Sequence, residues 1–171
     1  ILKILTGFRC EFNVFHRQPS RQLSLFSETH FLLKDREKLI LSVRKSSNEE
    51  EIYVIKSLDD KVNIPLKLRF CKVVNIFESD SNCIFVDENK LKFPLTIRKW
   101  QEGDYFYPSG MNGKKKLSKY FKDEKYSLFD KENQWLLCSE DQIIWVIGKR
   151  ADNRFISNET TQNSIKIVLE E

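Results

Sequence analysis

The sequence predicts an α+β fold: a mixed to antiparallel, β-rich domain carrying short helices. Strand-like runs outnumber helical ones. The helical segments interrupt the strands rather than alternating with them, which argues against a doubly wound parallel sheet. A third observation is the 13 Phe within an aromatic share of 12%, enough bulk for a well-filled core.

The elements follow in chain order. Residues 1–18 place Leu2, Leu5, Phe8, Phe12 and Phe15 at near-helical spacing, with Gly7 as a break, and predict two short helices that close an upstream element. Pro19 to Arg21 ends that pattern. From Leu23 the chain turns strand-like, and 31–33 and 38–43 are β-type runs separated by the turn-forming Lys34-Asp35-Arg36-Glu37. Ser46 to Glu51, with three successive glutamates, predicts a surface loop and linker. The expected division is therefore residues 1–45, the end of a helical linking domain with the first strands, and residues 46–171, the α+β domain. Strands are expected over 52–56, 66–74, 83–87 and 95–98. Pro65 and Pro94 stand at strand starts, where a missing N–H is tolerated. Turn formers dominate 103–113, and helices are expected over 115–123 and 127–133. Strands resume over 135–138, 143–147 and 165–169.

Composition excludes several classes. The chain opens on Ile1 rather than Met, so its 171 residues are expected to be a piece of a longer protein. No apolar run approaches the roughly 20 residues of a membrane span, and no membrane association is expected. Cys10, Cys71, Cys83 and Cys138 form no CxxC pair, and only His16 and His30 could assist them, which argues against zinc. Their apolar settings predict reduced core thiols and a cytoplasmic protein. With five glycines and no GxxxxGK[ST] or GxGxxG motif, no cofactor is expected in this chain.

Charge distribution is more informative. Between Arg98 and Lys125, eight basic residues face four acids, so this stretch holds the whole net charge of +4. Treated as a helix, 115–125 puts Leu117, Tyr120 and Phe121 on one face and Lys115, Lys119 and Lys122 on the other. Lys114 and Lys116 add charge at the expected helix start, where cations oppose the macrodipole but free N–H groups suit phosphate. Two readings stand side by side: a merely solvated lysine face, and a face that binds a polyanion. Arg98, at a strand end, and Arg150, after Gly148-Lys149, either fork onto phosphates or pair with Asp104 and Asp152 to fix turns. The candidate phosphate set is Arg98, Lys99, Lys114, Lys115, Lys116, Lys119, Lys122 and Arg150. Trp100 and Tyr105 stack on bases or sit in the core, whereas Trp135 and Trp145 lie in apolar strands and are core. Asp104, Asp123 and Asp152 suit turn and cap roles better than acid catalysis, and no catalytic or metal residue is expected.

The run Leu95-Thr-Ile-Arg98-Lys-Trp-Gln-Glu-Gly103-Asp104-Tyr-Phe-Tyr-Pro108-Ser-Gly110-Met111-Asn-Gly113-Lys-Lys-Lys116-Leu117-Ser118-Lys-Tyr-Phe121 closely resembles the C-terminal domain of tRNA(Ile)-lysidine synthetase. Ile144 to Asp152 is similar to that family's closing strand and turn, and Phe26 to Arg36 to its linking region. Phe129-Asp130-Lys131 departs from the pattern where relatives carry an arginine. The resemblance implies a fold similar to a domain of the phenylalanyl-tRNA synthetase β subunit. It also implies a parent enzyme that joins lysine to the wobble cytidine of tRNA(Ile), using ATP with Mg in an N-terminal adenylating domain. That domain's SGGxDS loop has no counterpart here. Expected partners are tRNA(Ile), gripped away from the anticodon, the N-terminal adenylating domain of the same polypeptide, and a second copy in a homodimer. The alternative is a non-catalytic protein-interaction module that binds an acidic partner.

Overall fold

A computed structural model of the chain describes residues 14–17, 23–26, 30–35, 38–43, 51–74 and 79–170. The chain forms two compact units, Ile1–Glu49 and Glu50–Glu171.

In the first unit, β1 (Val14–Arg17), β2 (Leu23–Phe26), β3 (His30–Asp35) and β4 (Lys38–Val43) make an antiparallel meander in that spatial order. β1 overturns the helix expected over 1–18 where that helix can be compared. Val14 pairs with Phe26 and Arg17 with Leu23, so inter-strand bonds outweigh a loose helical spacing of apolar residues. Residues 1–13 of that expectation, and most of the loop expected over 46–51, lie outside the described residues.

The second unit runs β5 (Tyr53–Ile55), β6 (Lys67–Val73), β7 (Cys83–Asp87), a 3-10 turn (Glu88–Lys90), β8 (Leu95–Lys99), β9 (Tyr105–Phe106), β10 (Lys115–Lys116), α1 (Leu117–Asp123), α2 (Leu128–Asn133), β11 (Trp135–Ser139), β12 (Gln142–Val146), β13 (Arg150–Ala151) and β14 (Ser164–Glu170). A five-stranded sheet has the order β13-β12-β11-β8-β5, a three-stranded sheet β6-β14-β7, and β10 pairs with β9 alone. The pairs are antiparallel. This is the strand-rich α+β architecture expected from the sequence.

The five-stranded sheet is the middle of three layers. From one face Ile55, Ile97, Leu137 and Trp145 meet Leu68, Ile84, Val86, Ile165 and Ile167 of the three-stranded sheet. From the other, Leu136, Cys138, Ile143 and Val146 meet Phe106 of β9 and Leu117, Tyr120 and Phe121 of α1. Strand alternation explains the division along β11. Along β12 a bulge intervenes: Leu137 faces Trp145 and Cys138 faces Ile143, so Ile144 is one residue extra. α2 begins at a capping box in which the Ser127 side chain and Asp130 satisfy each other's backbone N–H groups.

Candidate nucleic-acid interface

The segment that concentrates positive charge is a short ribbon leading into a short helix. Gly103, at φ +96°, turns the chain between β8 and β9 in a conformation that a side chain would resist. In the ribbon, Lys116 stands across from Tyr105 and Lys115 across from Phe106. Side chains alternate between faces, and directly opposed residues share one. Phe106 and Lys115 therefore point inward, and Tyr105 and Lys116 outward. Phe106 is fully buried while Tyr105 is 39% exposed. Lys114 brings its Nζ within 3.4 Å of the Tyr105 ring centroid.

This register corrects the expected helix over 115–123. Lys116 is extended, at ψ 136°, and α1 starts only at Leu117, whose N–H donates to the Asp104 carbonyl at 2.8 Å. Lys115 is consequently drawn in. Its Nζ lies 2.9 Å from Asp123 Oδ2, with the lysine side chain only 14% exposed. Asp123 is held below the ordinary carboxylate range, foremost by its hydrogen bond from Lys115, with Lys119 and Lys122 adding to the effect. The expected row of three free ammonium groups is thus a row of two, Lys119 and Lys122, both exposed. α1 has seven residues and no side-chain N-cap, and its first amide is already donated to the Asp104 carbonyl.

The arginines divide differently from the expectation. Arg98 forks onto Asp104, Nη1 to Oδ2 at 2.8 Å and Nη2 to Oδ1 at 2.9 Å, and Nη1 also donates to the Lys99 carbonyl. The two side chains are 14% and 13% exposed, so this guanidinium fixes a turn and is not offered to a ligand. Lys99 places its Nζ 3.7 Å from the Trp135 ring centroid. Arg150 does not pair with Asp152; its Nη1 donates to the Ser109 carbonyl at 3.0 Å. Asp152 is fully buried and belongs to Arg154, whose Nε and Nη2 reach Oδ1 at 3.0 Å and Oδ2 at 2.8 Å. It also accepts from the Tyr107 N–H at 2.9 Å and the Arg154 N–H at 2.8 Å. Arg154 was not selected from the sequence, where only the Asp-x-Arg spacing after a turn hints at it. Trp100 packs edge-on against Phe121 at 5.5 Å between centroids, partly buried against the helix layer.

The structure thus leaves Lys114, Lys116, Lys119 and Lys122 exposed, with Lys114 and Lys116 beside Tyr105, and withdraws Arg98 and Lys115. A family model described as the TilS substrate C-terminal domain matches residues 95–168, which span the ribbon, α1 and the strands that carry them. Over this stretch the chain belongs to the TilS C-terminal domain family. The tRNA(Ile)-lysidine synthase of Parabacteroides distasonis is 46% identical over 142 residues, covering 80% of this chain and 32% of that protein. That of Bacteroides thetaiotaomicron is 37% identical over 153 residues, covering 90% of this chain and 34% of that protein. The chain therefore spans about a third of the length of these curated relatives. A crystal structure of a TilS C-terminal domain superposes with a TM-score of 0.57 at 20% identity, covering 70% of this chain and 97% of that one, and shows the shared fold.

Among the described residues no three His, Cys, Asp or Glu side chains stand together, and the carboxylates of Asp104 and Asp152 are each gripped by an arginine. Burial pushes Cys138 up to about 12, whereas Cys71 is exposed. Iodoacetamide at mildly alkaline pH is expected to label Cys71 in the native protein and Cys138 only after denaturant is added. Peptide mapping that found equal labelling would contradict the buried setting of β11.

Proposed function

We propose that this chain is the C-terminal, tRNA-binding part of a cytoplasmic tRNA(Ile)-lysidine synthase. In this reading an N-terminal adenylating domain of the same polypeptide, using ATP with Mg²⁺, joins lysine to the wobble cytidine of tRNA(Ile). The residues described here hold the RNA. What supports this most is that Lys116, Lys119 and Lys122 are exposed and carry no ion pair among the described residues, while Lys114 rests on the exposed Tyr105 ring across from Lys116. Amines left unpaired on a folded surface suit phosphates, and phosphate contacts position an RNA without reading its sequence. Selection of tRNA(Ile) therefore rests on other parts of the parent protein.

The test uses the full-length protein with Lys116→Gln, Lys119→Gln and Lys122→Gln combined. The plot of log affinity for tRNA against log salt is expected to flatten by roughly 0.7–0.9 per lost phosphate contact. An unchanged slope, with circular dichroism showing an intact fold, removes these lysines from the interface. Tighter binding of an acidic protein than of tRNA would favour the alternative, a protein-interaction module.

A further inference from the structure

We propose that the outward face of the β9–β10 ribbon is a stacking platform for unpaired bases, a role that rests on the RNA-binding reading and specifies which kind of RNA this face meets. The register puts Tyr105 and Lys116 on that face, and Lys114 joins them through its contact with the Tyr105 ring. Tyr107, two residues beyond Tyr105, sets its ring edge-on to it at 6.4 Å between centroids and 75° between planes. At the far end the Arg154 guanidinium lies 4.6 Å from the Tyr107 ring centroid. In space the order is ammonium, ring, ring, guanidinium.

The rings are not there for the core. Phe106, between the two tyrosines, fills the inner side and is fully buried, whereas Tyr105 keeps 39% of its surface exposed. The two end cations differ in how they are held. Arg154 is locked by the buried Asp152 and stays over Tyr107. The exposed Lys114 rests on the Tyr105 ring and has no ion pair among the described residues. It can swing onto a phosphate and give its ring face to a base. A duplex buries its base faces and offers no ring to stack on along its length, so adjacent rings flanked by cations match an unpaired strand, which offers both base faces and phosphates. The cations at both ends favour RNA over a neutral or basic protein surface.

The experiment compares the full-length protein with its Tyr105→Ala and Tyr105→Phe variants on two probes, a blunt RNA hairpin and the same hairpin with a short unpaired tail. Tyr105→Ala is expected to weaken the tailed hairpin roughly five- to tenfold, with the salt slope unchanged and the blunt hairpin unaffected. Tyr105→Phe, which keeps the ring, is expected to bind like the parent. Equal loss on both probes, or no loss on either, overturns the platform, as does an acidic peptide that competes with the tailed hairpin on the parent but binds Tyr105→Ala no longer. If the lysine variants leave the salt slope unchanged while Tyr105→Ala still loses the tailed hairpin, the phosphate assignment fails and the platform stands.

Discussion

Asp152→Ala is expected to cost about 3 kcal/mol of stability, at the low end for breaking a buried charged pair. Its carboxylate is fully buried and accepts from the Tyr107 and Arg154 backbone N–H groups and from two guanidinium nitrogens. Truncation strands the Tyr107 amide without an acceptor, which alone costs about 1–3 kcal/mol. Arg154 is 31% exposed and recovers part of its hydration, which keeps the total away from the top of the range. Asp152→Asn keeps an acceptor but loses the charge, and its loss is expected to be smaller. Urea unfolding of the three proteins checks the order. A loss below about 1 kcal/mol for Asp152→Ala would mean that water replaces the carboxylate. The Ala variant is also expected to loosen Tyr107, because the bond that fixes its backbone goes with the side chain.

Phe121→Ala is expected to cost roughly 3–5 kcal/mol, the usual range for emptying a buried aromatic site. α1 has seven residues and no capping side chain, and helices this short do not stand alone in water. Its three buried residues hold it in place: Leu117, Tyr120 and Phe121. Phe121 is fully buried, touches Trp100 edge-on, and packs against Tyr126 at 4.7 Å between centroids, so its removal leaves a cavity that rigid neighbours cannot close. Lys119→Gln and Lys122→Gln, on the exposed side of the same helix, are expected to shift stability by no more than about 0.5 kcal/mol. Thermal unfolding separates the two classes. A Phe121→Ala loss comparable to the lysine changes would refute the packing described for α1. The same variant should also weaken RNA binding, because the lysines of α1 are presented by the surface that Phe121 anchors.

The long strands were legible. β6, β7, β8, β11 and β14 fall within or against the expected windows, because each is a run of five to seven residues carrying apolar side chains, long enough to be told from its polar surroundings. The two-residue strands β9, β10 and β13 were not, since two residues have no period and exist only through partners elsewhere in the chain. β10 was hidden further by its composition. Lysine suits a helix well, and the spacing of 115, 119 and 122 imitates one helical face. Yet the chain stays extended through Lys116, and the inner side of the ribbon turns Lys115 away from solvent. At the arginines the sequence left pairing and ligand binding equally open. For Arg98 the tight turn at Gly103, which swings Asp104 back onto it, decided for pairing; such closure cannot be read from spacing alone. Which arginine would take Asp152 depended on the pairing of β12 with β13, again a property of the folded register.

β11 has a consequence of its own. It lends Leu136 and Cys138 to the helix side and Leu137 to the opposite side, all fully buried, so two oily interiors share one wall. No cleavage plane runs between them. The helix layer cannot peel off and leave an intact sandwich behind, because the backbone that lines one interior also lines the other. Loosening on the ribbon side is therefore expected to reach the far sheet, and the second unit is expected to melt in one step.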